Sequence, residues 1–457
     1  MFIEDLEELE DILDTLIFEE EPTIFTEEYA LEIVESAFYL MEEFINENPH
    51  IISEPDFNEI LLEETKEIFE IQMEDIITSE YVEDDLEDLI EYAFSTFIIL
   101  FNQERSGEQP ITEIPIPDNI IPLIEEKINY LRQIPQPEQR TPEWYKFRWN
   151  LITASNAWKA FESQSTVNQL IYEKCLPLKS ANDEEQEPNK MVNTNSAMHW
   201  GQKYEPLSVL IYEDMYKTKI EDFGCIAHQL FPFLGASPDG INVDTSSERY
   251  GRMLEIKNVV SREINGIPKK EYWIQMQLQM EVCDLDTCDF LETKFIEYPD
   301  THSFYTDTKV DENGNKDVTL SSDNKRKGII LYFHTKDGTP FYKYKPLNIV
   351  SEDEIKMWEE QELEKYESVP YNYIFLKFIY WKLEVISCVL VVRNREWFKN
   401  NCDKLEKVWK TIETERVTGY EHRAPNKKPK KEPICKPFAE SKGCLLTFNK
   451  IIKVDTN

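Results

Sequence analysis

Three short stretches between residues 237 and 277 hold the residue types that hydrolytic chemistry on a phosphodiester needs: Ser237-Pro238-Asp239-Gly240, Leu254-Glu255-Ile256-Lys257 and Tyr272-Trp273-Ile274-Gln275-Met276-Gln277. Side chains alternate along a strand, so Glu255 and Lys257 share one face while Leu254 and Ile256 take the other. Asp239 follows a proline at a turn that Gly240 lets bend tightly. The run 251–257 is expected to return antiparallel to 233–239, bringing Asp239, Glu255 and Lys257 together. Two carboxylates and a backbone carbonyl are hard oxygen donors suited to Mg²⁺ or Mn²⁺. A metal lowers the pKa of a bound water, and a lysine beside it steers the attack. The plainer alternative is a surface hairpin with a Glu–Lys pair. Glu-x-Lys alone is common, and it is the combination of the three stretches that is specific.

Composition bounds the setting. A chain of 457 residues, 41% hydrophobic and 12% aromatic, is long enough for two or three domains and a sizeable core. No apolar run reaches membrane-spanning length, and the start Met1-Phe2-Ile3-Glu4-Asp5 lacks the basic residues of a signal peptide. The eight cysteines form no C-x-x-C pair, which points to reduced thiols and an intracellular protein. Taken alone, the net charge of −40 argues against nucleic acid, but its distribution reverses that inference. Residues 1–100 contain 33 acids and one base, Lys66, for a charge of −32; residues 101–457 carry only −8.

The elements that must position these residues can be read in order. Residues 1–105 repeat Leu, Ile, Phe and Tyr at helical spacing and are expected to form an acidic helical domain. Its role is either a solvated accessory or protein-contact fold, or a face that mimics DNA and competes for a basic groove. Residues 106–137 are a Pro-rich linker with one helix, 120–133. Residues 138–300 hold the chemistry. Thr141-Pro142 starts a helix that carries Trp144, Phe147 and Arg148. Thr153-Ala154-Ser155 caps a second helix, 156–162. A hydroxyl at a helix start beside an arginine is either a phosphate site or a plain cap with a surface arginine. Trp200-Gly201 leads into an amphipathic helix carrying Glu205, a further metal ligand or an exposed helix acid. A helix spans 270–283 and a strand 288–297. Residues 301–375 read as a β-rich and helical accessory insertion, with a capping box at Ser351 and Glu354. Residues 376–420 supply a long apolar strand or strand pair and a helix, 395–414. Residues 421–457 form a basic, Pro-containing tail, whose stretch 422–431 is a DNA contact, a nuclear address or simply a basic tail.

Six motifs now stand in order: Trp144 with Arg148, Thr153-Ala154-Ser155, Trp200-Gly201 with Glu205, Ser237-Pro238-Asp239-Gly240, Leu254-Glu255-Ile256-Lys257, and Gln275-x-Gln277. Over residues 140–300 the chain resembles the lambda-type alkaline exonucleases, the YqaJ-like viral recombinase nucleases of the PD-(D/E)XK superfamily found in phages and large DNA viruses. The resemblance implies an α/β (α+β) restriction-endonuclease-like core, a mixed sheet flanked by helices, beside the all-α acidic N-terminal domain. It implies that Asp239, Glu255 and the Ile256 carbonyl hold Mg²⁺, or Mn²⁺, and that Lys257 activates water. Glu205 would serve a second ion, Gln275 would orient the nucleophile, and Gln277 is a weaker candidate for that role. Arg148, Ser155 and Ser237 would grip the 5′-phosphate of the digested strand.

The expected activity is therefore 5′→3′ exonuclease digestion of linear double-stranded DNA in viral recombination, repair or replication. The partners it implies are duplex DNA ends and a single-strand annealing protein, with a trimeric ring known for some members of the family; no membrane is expected. The setting would be intracellular, in the host cytoplasm or nucleus for a viral protein. The alternatives are a structure-specific endonuclease of the same fold, on DNA or RNA, and a catalytically silent DNA- or protein-binding module. Deleting residues 1–105 separates the roles of the acidic domain: a gain of DNA affinity marks an inhibitory face, and a loss of partner binding marks a docking surface.

Overall fold

The computed structural model describes residues 25–48, 51, 54–73, 80–105, 116–117, 119–178, 193–310, 314 and 316–425. The acidic segment forms α1 (Glu27–Glu47), α2 (Phe57–Gln72) and α3 (Glu80–Arg105). Their apolar stripes meet in a core that includes Ala37, Met41, Phe57, Leu61, Ile90 and Ala93. Thr26 caps α1 by accepting from the Tyr29 N–H at 3.3 Å. Lys66 on α2 pairs with Glu91 on α3 at 2.9 Å. The part of this reading before residue 25 lies outside the described residues.

The helices α4 (Ile121–Gln133) and α5 (Pro142–Trp149) come next, then the short β1 (Ile152–Thr153), α6 (Ala154–Ala157), α7 (Gln164–Cys175) and α8 (Ala197–Tyr216). The strands β2 (Ile220–Glu221), β3 (Ile226–Ala227), β4 (Leu234–Ala236), β5 (Gly240–Asn242) and β6 (Met253–Asn258) lead to α9 (Lys270–Cys283) and β7 (Thr287–Glu297). The chain then runs through α10 (Thr301–Thr306), β8 (Lys309–Val310), β9 (Lys316–Asp317), β10 (Lys327–His334) and β11 (Pro340–Tyr344). It closes with α11 (Glu352–Glu367), β12 (Ile374–Val392) and α12 (Arg395–Thr418).

One seven-stranded sheet, ordered β11-β10-β12-β7-β6-β5-β2, organises the body. The β6–β7 pair is parallel and α9 is its crossover; the other neighbours are antiparallel. Residues 301–375, read as an accessory insertion, contribute β10 and β11 to this same sheet. The bridge is β12, a single 19-residue strand that pairs first with β10 and then with β7. The two faces carry separate cores. Met253, Phe290, Trp273, Ile274, Leu405 and Ile412 pack on the side of α9 and α12. Leu254, Ile256, Tyr204, Leu207, Ile211 and Trp381 pack on the side of α8. The resulting architecture is a mixed α+β sheet flanked by helices, with an all-α N-terminal unit.

Several sequence expectations shift in detail. The antiparallel partner of β6 is 240–242 rather than 233–239, because β4 belongs to a separate three-stranded sheet with β1 and β3. Pro238 stands between β4 and β5, and having no N–H to give to a ladder it marks the change of sheet. The helix expected over 156–162 is the single turn α6 followed by a 3₁₀ turn, Trp158–Phe161, and Thr153 caps it without a side-chain bond. The capping box at Ser351 and Glu354 is present. Cys175, Cys225, Cys283, Cys288, Cys388 and Cys402 are free thiols. No helix among the described residues is long and apolar enough to cross a membrane. The basic stretch beyond residue 425, with Cys435 and Cys444, lies outside the described residues.

A buried ionic knot fastens α8, the β5–β6 turn and β7. Asp289, 1% exposed, accepts from Tyr212 at 2.6 Å, Arg249 at 2.5 Å and Arg252 at 3.2 Å. Removing one partner of such a group strands the others in a low-dielectric interior. The variant Asp289→Ala is expected to lose about 3–5 kcal/mol of unfolding free energy in urea titrations.

Candidate functional site

The site is built on β6. Glu255 and Lys257 point to the α9 face while Leu254 and Ile256 anchor the strand in the opposite core. Glu255 has no exposed surface. Its Oε1 accepts from the Lys257 ammonium and from Gln275 Nε2, the latter at 2.7 Å; its Oε2 accepts from Gln279 Nε2 at 2.6 Å. Gln279 Nε2 also reaches the Ser237 carbonyl at 3.3 Å. Gln275 and Gln279 are four residues apart and so share one face of α9. Gln279 was not among the sequence candidates. Counting by helical rather than strand period from Gln275 is the signal that finds it.

Gln277 sits elsewhere. Its Nε2 donates to the Val392 carbonyl at 2.9 Å and its Oε1 accepts from the Asn394 N–H at 2.7 Å. It fastens the β12–α12 junction, being rotated off the Gln275 face by the helical period.

Asp239 stands at the mouth of β5. Its N–H donates to the Leu254 carbonyl at 3.2 Å, and its Oδ2 accepts from the Ile256 N–H at 2.7 Å. Burial, then the charge of Glu255, raise its carboxyl well above the usual range, and Lys257 pulls it part of the way back. For Lys257, burial works to lower the ammonium, but Glu255 and Asp239 prevail and hold it above its ordinary value. The ammonium lies 4.9 Å over the Tyr272 ring. Across the parallel ladder Lys257 is in register with Glu292, which is committed to Arg262.

Glu205 reaches this cluster from α8. Asn258, the last residue of β6, fixes that helix: its Nδ2 donates to the Gly201 carbonyl at 3.0 Å and its Oδ1 accepts from Ser208 and Thr293, both at 2.7 Å. Glu205 keeps exposed surface at the rim. Desolvation of its carboxylate on the protein side, then the charges of Glu255 and Asp222, raise it.

The candidate phosphate residues are partly brought together. The Arg148 guanidinium stacks 4.6 Å from the Trp144 ring and reaches Cys225 Sγ at 4.0 Å. Burial raises the Cys225 thiol, while Arg148 and a hydrogen bond to the Ser237 side chain oppose the shift. Cys225 thus joins Arg148 to Ser237, and Ser237 joins Gln279; no sequence pattern marks Cys225. Ser155 is exposed, and its hydrogen-bonding neighbour among the described residues is Thr153, at 3.4 Å.

Among the described residues no three His, Cys, Asp or Glu side chains form a ready-made metal cage. Mg²⁺ does not need one, since it keeps several waters and takes only one or two protein carboxylates. Asp239, Glu255 and the Ile256 carbonyl are hard oxygen donors of that kind. Burial first, and then the neighbouring carboxylates, raise Asp239 and Glu205, and a cation would offset both effects. Because Gln277 makes its two bonds away from this cluster, Gln277→Ala is expected to cost about 1–3 kcal/mol of stability in chemical denaturation.

The profile of the family described as YqaJ-like viral recombinase domain matches residues 143–286. An uncharacterized protein of Acanthamoeba polyphaga mimivirus is 28% identical over 313 residues, which cover 62% of this chain and 54% of that protein. The chain thus spans about half the length of the curated relative it matches. Among solved structures, an alkaline exonuclease from Laribacter hongkongensis is 16% identical, with 60% of this chain and 94% of that one covered and a TM-score of 0.33. A phage-related exonuclease from Haemophilus somnus is 13% identical, with coverages of 60% and 96% and a TM-score of 0.28. The segment that matches the YqaJ-like viral recombinase family begins at α5 with Arg148 and ends past α9, so the similarity takes in the Asp239, Glu255, Lys257 and Gln275 cluster.

Proposed function

We propose that the chain is a Mg²⁺-dependent exonuclease that digests linear duplex DNA in the 5′→3′ direction from 5′-phosphorylated ends. The observation that carries the reading is the fully buried Glu255, held by Lys257, Gln275 and Gln279 directly beside Asp239. A stability role alone does not call for two carboxylates and an ammonium crowded at one strand end. Asp239, Glu255 and the Ile256 carbonyl would hold the cation, with Glu205 at the rim serving a second one. Bound there, the cation would supply an acidified water and charge neutralisation at the leaving oxygen.

The chain's own groups do the rest. Lys257 donates to a water lone pair and counters negative charge building on the phosphate. Gln275 and Gln279 fix the Glu255 carboxylate so that it does not rotate away. Water oxygen bonds to phosphorus as the bond to the 3′-oxygen breaks, leaving a 3′-hydroxyl on one fragment and a 5′-phosphate on the other. Each cleavage therefore leaves the end that Arg148 and Ser237 would recognise, which suits repeated end-on digestion. A viral relative and the match to the YqaJ-like viral recombinase family support a role in viral DNA recombination, in which a strand-annealing protein would take the 3′ overhangs.

The test uses purified protein, linear and closed circular duplexes, and Mg²⁺ or EDTA. Linear DNA is expected to disappear only with Mg²⁺, faster from 5′-phosphorylated ends, while circles persist. Glu255→Ala and Lys257→Ala should each slow the reaction by at least about 100-fold. Cutting of closed circles would replace the exonuclease by an endonuclease. A folded protein that cuts nothing with Mg²⁺ or Mn²⁺ would leave a binding module.

A further inference from the structure

Behind Arg148 lies a second cation that the reading above does not use. Lys174, on α7, is 9% exposed. Its ammonium donates to the Arg148 carbonyl at 2.9 Å, which places it under the residue whose guanidinium turns toward Cys225. Arg416, from α12, completes a cationic cluster. It stacks 3.4 Å from the Trp149 ring and donates to the carbonyls of Trp149, at 2.6 Å, and Lys174, at 2.8 Å.

Among the described residues no carboxylate stands within ion-pairing distance of Arg148, Lys174 or Arg416. The adjacent Glu173 is already taken by Lys159, at 2.7 Å. Carbonyl dipoles satisfy the donors but leave the net charge in place. Burial first, then Arg148 and Arg416, lower the Lys174 ammonium to about 8. A buried lysine in the field of two arginines is a destabilising arrangement, and an anion is what would compensate it. The cluster is also wired to the reacting centre. Arg148 meets Cys225, Cys225 meets Ser237, the Ser237 carbonyl accepts from Gln279, and Gln279 holds Glu255.

We propose that Lys174 pairs with Arg148 as a two-cation receptacle for a phosphate monoester dianion, so that Lys174 sets the preference for a terminal phosphate. This rests on the nuclease reading for the identity of the phosphate as a DNA 5′ end, but not for the receptacle itself. An internal phosphodiester carries a single charge, whereas a terminal phosphate carries close to two and matches the pair.

The experiment compares wild type, Lys174→Met and Lys174→Arg by two readouts. The first is the ratio of digestion rates on 5′-phosphorylated and 5′-hydroxyl duplex ends. The second is the melting temperature with and without inorganic phosphate, without metal. Lys174→Met is expected to lower the rate ratio by about 10- to 100-fold, to melt no lower than wild type in the absence of phosphate, and to lose the phosphate-induced rise. Lys174→Arg should restore part of both. Should wild type cleave no DNA while phosphate still raises its melting temperature, and not that of Lys174→Met, the receptacle stands and the nuclease reading falls. The proposal is overturned if Lys174→Met keeps the end preference, if phosphate raises both proteins alike or neither, or if the variant melts lower and loses both rates together. The last outcome would make Lys174 a structural residue.

Discussion

A carboxylate with no exposed surface needs donors on both oxygens, and the arrangement around Glu255 follows from that requirement. Lys257 comes from the same strand, two residues on, and so costs the fold nothing beyond the pleat. Gln275 and Gln279 come from the crossover helix, and they reach both oxygens only if α9 lies along β6 in one register and one rotation. The same helix carries Trp273, Ile274, Met276 and Met280 into the core. Packing fixes the rotation, and the two glutamine amides turn that fixed rotation into a fixed carboxylate. Substituting Gln279 would leave the buried Oε2 without its donor, and substituting Gln275 would leave Oε1 to Lys257 alone.

The sheet provides the second constraint. Asp239 is held by the Ile256 N–H and the Leu254 carbonyl, so its position depends on the β5–β6 ladder. Glu205 comes from the other side of the sheet, and it reaches the cluster because Asn258 clamps the Gly201 carbonyl at the end of the same strand. β6 thus carries two catalytic candidates on one face, the apolar anchors Leu254 and Ile256 on the other, and the clamp for α8 at its end. Distant strands support it in turn. β12 joins β7 to β10, so the segment beyond residue 300 extends the platform on which β6 rests.

Charge is segregated in the same molecule. Residues 1–100 carry −32 of the net charge of −40, while Arg148, Lys174 and Arg416 lie together with no carboxylate paired to them among the described residues. The two regions belong to one chain, and Asn394 Nδ2 of the α12 cap reaches Glu54 Oε1 at 3.3 Å.

What could be read from the residues alone was whatever depends on local period and local chemistry. The alternation of Leu254-Glu255-Ile256-Lys257 fixes which side chains share a face, because a strand has period two. The amphipathic spacing of residues 27–105, the helix 270–283 and the Ser351–Glu354 capping box follow from helical period and from local hydrogen bonding. What required the tertiary structure was everything that depends on which segments meet. Pro238 signals a break, but only the packed chain shows that the break moves it from one sheet to another. Gln277 and Gln279 look equivalent in sequence, and helix rotation against β6 and β12 sends one to the Asn394 junction and the other to Glu255. Cys225 and Lys174 belong to no motif. Their significance comes from long-range contacts with Ser237 and Arg148, which no short-range pattern encodes, because burial and the set of neighbouring charges are properties of the assembled interior.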